Sequence, residues 1–578
     1  MSARRYGMRY YALVGGFGCI SLTAFVQGVL PMMEPQSRTD KVTKVVRTDT
    51  GELKWMEGRA TDYTPAEQHG RAVYIREGCW YCHSQYVRPV TGETRRWGPI
   101  TQAGEYAFDM PHLFSTRRIG PDISRVGLKY SDSWHLAHFW DPRILSPDSI
   151  MPRFAAMFDG PYTVKIVTDA KGQRTLEKTP VTEKLFNFAS EQQIRLTPNA
   201  DGLVFVAERG KYPLIFAPNK EYTGEVATLV ADTPDLRDLI AYVQKLGTNR
   251  GKWRDRFEPQ LMEASQVTLP RSEEWTAYGK EVYERRCLGC HGVKGDGNGP
   301  AAAFMPQDRP RNFTLGVFKF RLTPSGSLPD DGDLLRTITR GIRGTAMPSW
   351  HELPQKDSLA VIQYIKYQLA ADRSDPKKPY LYFVEEPAKA PIFIGQPPAP
   401  SAELVAHGKD VWQAGKCWEC HGQTGKGDGE KAAGLKDDLG HPIPPANLTT
   451  GQFKSGPTAK DIFRTMSTGL SGTPMPSFSD SLSEQDRWAL SYFVLSLSAF
   501  KDPLTGEPMK ISQADRDALN DPSTKADESH LAFRSSSPDK ATLYAGQAWA
   551  KKHGFDDRSA GDPIAPATGS PVRRADLK

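Results

Sequence analysis

Three times in this chain a cysteine pair spaced by two residues is followed at once by a histidine: "CWYCH" at 79–83, "CLGCH" at 287–291 and "CWECH" at 417–421. Six of the seven cysteines are committed to these pairs, too few and wrongly spaced for a disulfide framework in 578 residues. A structural zinc site needs four ligands, usually from two paired knuckles, and no second cysteine pair lies near any of the three. A thioredoxin-like dithiol would sit in a βαβ pattern, which the flanking sequence lacks. The remaining chemistry is covalent haem: two thiols bond the porphyrin vinyl groups and the next residue places its imidazole under the iron. Three haem c groups are therefore expected, held by Cys79, Cys82 and His83, by Cys287, Cys290 and His291, and by Cys417, Cys420 and His421.

Other features recur in step with the motif, so the chain reads as three copies of one module. "HGRAVY" (69–74), "YGKEVY" (278–283) and "HGKDVW" (407–412) precede the cysteines, and each copy closes on an apolar-periodic helix, "LRDLIAYVQKL", "LAVIQYIKYQL" or "RWALSYFVLSL". Gly70, Gly279 and Gly408 fall inside the opening helix, where glycine costs about 1 kcal/mol against alanine. A close crossing with the closing helix, near Tyr242, Tyr364 and Tyr492, explains that choice. "NFTLGVFK" (312–319) and "NLTTGQFK" (447–454) make the last two copies closer to each other than to the first.

Between motif and closing helix each copy carries a Met-Pro pair, giving Met151, Met347 and Met475 as sixth ligands to iron. The separations 347 − 291 = 56 and 475 − 421 = 54 residues match, which core methionines have no reason to do. In the first copy His112, His135 and His138 also come within reach and stay unassigned. Carbonyls of Pro121, Pro310 and Pro445 are candidates to hold the ligand imidazoles, with the register open by one residue. The glycine-rich "GVKGDGNGPAA" and "GQTGKGDGEKAAG" lack a following Lys-Ser/Thr and a preceding strand, so they are turns over a haem edge and not phosphate loops.

Net charge is only +6 with both signs interspersed, which argues against nucleic acid as a partner. One run, Tyr11 to Met33, is long and apolar enough to cross a bilayer, and Arg4, Arg5 and Arg9 precede it. The expectation is an uncleaved single-pass anchor in the bacterial inner (cytoplasmic) membrane, with the haem modules in the periplasm. A cleaved signal peptide is the rival reading, and Cys19 within the run is a small lipid- or helix-facing residue.

From "GCWYCHSQYVRP" through "RRWGPITQAGEYAFDMPHLFSTRRIGPDISRVG" to "YSDSWHLAHFWDPRILSPDSIMPRF" the sequence closely resembles the membrane-anchored mono-haem cytochrome c subunit of cbb3-type haem-copper oxidases. The resemblance covers roughly residues 1–159 and resumes near 232–248. It implies an electron-input subunit whose catalytic partner, with b-type haem and copper, is a separate membrane protein, and it places Cys79, Cys82, His83 and Met151 on the family's haem ligands. The other two modules look like generic class I cytochromes c fused to the first.

The expected architecture is mainly α: residues 1–35 form the cytoplasmic N-terminus and transmembrane helix. Three cytochrome c domains follow at 60–250, 271–372 and 400–500. The first includes a small β insertion at about 160–231, and a polar tail without cytochrome signature occupies 501–578. The expected function is electron transfer from a small soluble cytochrome c or other periplasmic donor to the oxygen-reducing subunit, with no substrate-reducing site on this chain. A nitric oxide reductase input subunit and a free-standing tethered carrier are the alternatives.

Overall fold

The computed structural model describes residues 2–33, 39–89, 93–115, 117–168, 174–180, 203–206, 215–218, 225–261, 271–305, 308–386 and 389–524. The N-terminal helix Ser2–Ala24 continues through a π-helical turn, Phe25–Val29, into Leu30–Met33. Within it Tyr10–Val29 is apolar along its length and buries none of that surface against the other described residues; Cys19 is exposed on it. Such a surface suits lipid better than water.

Each module is built on one crossing of two helices. The opening helices Pro65–Arg76, Glu273–Arg286 and Ala402–Ala414 start on Thr64, Ser272 and Ser401, whose side chains accept backbone N–H groups of the first turn. At the first, Glu67 returns the bond to complete a capping box, and Pro65 occupies the first helical position. The closing helices are Pro234–Lys245, Gln355–Tyr364 and Glu484–Ser496. At the crossings a Cβ on Gly70, Gly279 or Gly408 would run into the backbone carbonyl of Asp238, Ala360 or Ala489, so only glycine lets the backbones meet. Four residues beyond each carbonyl an aromatic ring packs on the opening helix: Tyr242 on Tyr74 at 5.5 Å, Tyr364 on Tyr283 at 5.3 Å and Phe493 on Trp412 at 5.5 Å. The third partner is thus Phe493 and not Tyr492, whose hydroxyl donates instead to the Pro398 carbonyl of the proline-rich linker, 2.7 Å away.

Within the first module Phe158–Thr168 pairs antiparallel with both Arg174–Pro180 and Glu225–Asp232, and Leu203–Val206 pairs with Ile215–Pro218. The sheet therefore grows from the segment after Met151 and returns directly into the closing helix.

A hairpin precedes the first module. Lys41–Arg47 and Leu53–Arg59 pair antiparallel, with Val45 opposite Trp55. Its inner face buries Val45 and Trp55 against Trp253 and Phe257 of the helix Trp253–Leu261. The first part of the polar tail, residues 501–524, closes over the hairpin: the Phe500 N–H donates to the Arg47 carbonyl at 2.9 Å, Val46 packs with Phe500 and Leu519, and Arg516 on the helix Gln513–Asn520 binds Asp49 at 2.8 Å. The remainder of that expected tail, 525–578, lies outside the described residues.

The modules join in two different ways. The first and second share one hydrophobic core, in which Ala301, Phe304, Met305 and Ala346 pack among Trp140, Met157, Phe158 and Leu239. The second meets the third through polar groups: Arg321 Nη2 donates to the Thr468 carbonyl at 2.9 Å, Arg340 pairs with Asp461 at 3.2 Å and Arg309 faces His441 at 3.1 Å. Where all parts converge, Asp255 binds Arg47 of the hairpin at 2.9 Å and Arg343 of the second module, and Arg47 also donates to the Pro457 carbonyl of the third. Burial raises the Asp255 pKa, but Arg343, Arg47 and Lys252 outweigh it and hold the carboxyl below its usual range.

Candidate haem sites

Each cysteine pair sits on a single short turn directly after its opening helix: Cys79–Tyr81, Leu288–His291 and Trp418–His421. The histidine N–H bonds back to the first cysteine's carbonyl at 3.0, 2.9 and 3.0 Å in the three modules, which folds both thiols and the imidazole onto one turn. All seven cysteines are free. Burial pushes the thiols up, to about 12 for Cys79, Cys287 and Cys290 and about 11 for Cys417. A reactive redox dithiol requires the opposite shift, so the surroundings fit thioether attachment and not disulfide exchange. Among the described residues no group of three or more His, Cys, Asp or Glu is placed together as a metal-ion site.

The imidazoles are held as haem ligands need to be. His83 Nδ1 donates to the Pro121 carbonyl at 2.9 Å and His291 Nδ1 to the Arg311 carbonyl at 3.0 Å, leaving each Nε2 for a metal. In the third module the Ala446 carbonyl is the counterpart, facing His421, while Nδ1 falls short of a full hydrogen bond. In the second and third modules the carbonyl is thus one residue after the proline, at Arg311 and Ala446, correcting Pro310 and Pro445. Pro310 and Pro445 instead turn their carbonyls toward Gly297 and Gly427, whose φ of +79° admits that approach. Desolvation lowers the pKa of all three histidines, His291 to about 4, so each imidazole is neutral and available at physiological pH.

The three methionines share one local device. The N–H of Met151 donates to Ser149 Oγ at 3.3 Å, and those of Met347 and Met475 to Thr345 and Thr473 Oγ1 at 3.2 Å. In the last two modules the loop closes again where the Ile342 and Leu470 N–H groups donate to the Met347 and Met475 carbonyls, at 3.0 and 3.1 Å. Met151 and Cys79 pack on the same core, and Cys287, Cys290, His291 and Met347 line one cavity of about 1150 Å³. That volume exceeds the usual range for small-ligand pockets and suits a large planar cofactor. Cys417 packs on the third core, with Met475 on the loop homologous to that of Met347.

Sequence reasoning missed Asp122, the residue that ties the first site together. Its carboxylate accepts Ser84 Oγ at 2.6 Å and the Tyr86 N–H at 2.8 Å through one oxygen, and the Ser124 N–H at 2.9 Å through the other. It thereby fixes the segment after His83 to the one that supplies the Pro121 carbonyl. Among the unassigned histidines, His135 is buried and His138 half-buried on the helix Asp132–Trp140, His138 stacked on Trp134 at 4.6 Å, and His112 stacks on Phe114 at 4.9 Å.

Comparison with known families divides the chain as its helices do. Residues 50–250 match the model "Cytochrome C oxidase, mono-heme subunit/FixO", and residues 276–365 match "Cytochrome C oxidase, cbb3-type, subunit III". The chain belongs to the cytochrome c subunits of cbb3-type oxidases. Residues 405–498 match the general cytochrome c model, so this cbb3-type subunit carries several cytochrome c domains and binds haem c covalently. The subunit III match ties the middle module to the oxidase as well, where sequence reading saw only a generic cytochrome c. A solved structure titled "Kuenenia stuttgartiensis reducing HAO-like protein complex Kustc0457/Kustc0458" contains a chain 38% identical over 40% of this subunit and 99% of its own length, with a TM-score of 0.36. Comparison with curated proteins returned no significant match. The families imply electron transfer in a haem-copper oxidase and association with its catalytic subunit, and together with the apolar N-terminal helix they support membrane anchoring.

Proposed function

We propose that this chain is the tri-haem electron-input subunit of a cbb3-type oxidase. It takes electrons from a soluble periplasmic donor at its second or third module, and its first module hands them to the oxygen-reducing subunit. The modules are taken as 60–250, 271–372 and 400–500. Cys79 and Cys82, Cys287 and Cys290, and Cys417 and Cys420 hold the haems covalently. The axial pairs are His83 with Met151, His291 with Met347, and His421 with Met475. Haem c supplies reversible one-electron exchange. The chain's own residues attach, orient and shield it: the carbonyls of Pro121, Arg311 and Ala446 set the imidazoles, and the hydroxyls of Ser149, Thr345 and Thr473 set the methionine loops. The arginines before the anchor place the N-terminus in the cytoplasm and the modules in the periplasm of a bacterial inner membrane.

The observation that carries this reading is the shared core of the first two modules, on which Cys79 and Cys290 both pack. An apolar, closely packed seam ties the two attachment sites to one core, which a relay requires and two independently tethered domains would not have. The test is purification from native membranes in mild detergent, with a haem count per chain and reduced-minus-oxidised and CO-difference spectra. Three c-type haems accompanied by CO-binding b-type haem and oxygen consumption are expected. Three c-type haems alone, with no CO response, make the chain a tethered carrier. Met347→His and Met475→His should each lower one haem's potential, since methionine raises it relative to histidine; an unchanged redox titration would remove that methionine from the ligand set.

A further inference from the structure

The cavity beside the second motif is bounded by more than one module, and its charge is out of balance. Arg311 and Lys319 of the second module line it together with Lys454 of the third. Lys319 and Lys454 are the last residues of the matched octapeptides "NFTLGVFK" and "NLTTGQFK", so the two modules turn equivalent lysines toward one space. Among the described residues none of the three cations has a carboxylate within ion-pair distance. Asp308, Asp437 and Asp438 act on the cations only through space, while Asp308 accepts Ser131 Oγ at 2.7 Å and Asp437 accepts the His441 N–H at 2.9 Å.

Gathering three cations around one cavity is unfavourable unless anions meet them. The strain is visible in the groups themselves. Burial, then Arg311 and Lys454, push the Lys319 ammonium down to about 8. Lys454 is exposed where it opens onto the cavity, yet the surrounding protein desolvates it and lowers its pKa. The anions that fit are carboxylates, which bind Lys and Arg through short charge-assisted hydrogen bonds. A haem attached at Cys287 and Cys290, which line this same cavity, would supply two carboxylates, its propionates.

We propose that Arg311, Lys319 and Lys454 form one cation cluster that receives the second haem's propionates, so that the third module completes the second module's cofactor site. The inference rests on the second module carrying a haem. It makes the interface of the second and third modules part of a binding site: Lys454 is the third module's contribution to a haem it does not itself attach. Because positive charge beside a haem favours the reduced form, the cluster also holds the second haem's potential up.

The test uses the full-length holoprotein, with haem counted by its alkaline pyridine spectrum and the three waves resolved by spectroelectrochemical titration. Met347→His identifies the second haem's wave by displacing it. Lys454→Gln is then expected to move that wave to lower potential with the haem count unchanged, and Lys454→Arg to leave it near the parent value. Lys319→Gln, within the second module itself, should lower the same wave. A second wave unmoved by Lys454→Gln, or a shift confined to the third wave, overturns the proposal, because Lys454 then serves its own module alone. A chain with no haem at Cys287 and Cys290 fails the underlying reading instead, and the haem count separates the two.

Discussion

The seam between the first and second modules and the joint between the second and third are built from different materials. The first is apolar and closely packed: Phe304 lies 6.1 Å from Trp140, and Gly289 abuts the Ile144 carbonyl so tightly that a Cβ has no room. The second is a set of arginines reaching for carbonyls and carboxylates, Arg321 to Thr468 and Arg340 to Asp461. Close packing fixes distance, since a core resists deformation by even a methylene group. Polar contacts of this kind fix orientation through the direction of each bond, even where, as at Arg321 and Asp461, the groups are buried. A relay that must keep one step constant and let another respond to ligand or partner has reason to use both.

The most damaging way to break this comparison is at the point where both joints are tied together. Asp255→Ala leaves Arg47, only 2% exposed, without its carboxylate and releases Arg343, and should cost about 3–5 kcal/mol in thermal or denaturant unfolding. Its pH dependence has a definite sign. The folded pKa lies below the unfolded value of about 3.9, so the stabilisation is complete above that pH and is lost as pH falls through the folded pKa. An acid unfolding midpoint that moves upward in Asp255→Asn checks this.

A milder break separates the two joints. Gly289→Ala forces the apolar seam apart and should destabilise it by about 1–3 kcal/mol, the usual cost of overpacking. It should also slow electron exchange between the first two modules, read by flash-induced transfer within the isolated chain. At the polar joint Arg340→Ala should cost less than about 1 kcal/mol, because Asp461 keeps its bond to Arg464 at 3.0 Å. If Arg340→Ala proves more damaging than Gly289→Ala, the ranking of rigid and adjustable joints is reversed.

Covalent chemistry was the most legible part of this molecule. A cysteine pair with an adjacent histidine closes on one turn whatever surrounds it, and the three glycines announced their helix crossings because nothing else pays for glycine in mid-helix. The methionine loops were legible for the same local reason, repeated spacing. Register was harder: whether Pro310 or Arg311 offers the carbonyl depends on one residue of loop path, and Tyr492 and Phe493 are both aromatic neighbours on one helix. The hairpin at 41–59 had a signal that went unread, alternation around "TDTGE" with Gly51 at φ +89°. Asp122 and Asp255 had none, because their roles depend on residues brought together only by the fold.

The hairpin has one more consequence, of reach. The anchor helix ends at Met33 and the first strand begins at Lys41, eight residue steps that can span at most about 29 Å at 3.6 Å each. Clasped by residues 501–524, the hairpin is part of the folded body and not a continuation of the leash. Once the anchor is in the bilayer, the first module cannot stray far from its surface. A partner embedded beside the anchor therefore meets it as though at high local concentration, with no affinity of its own required to keep the two within reach.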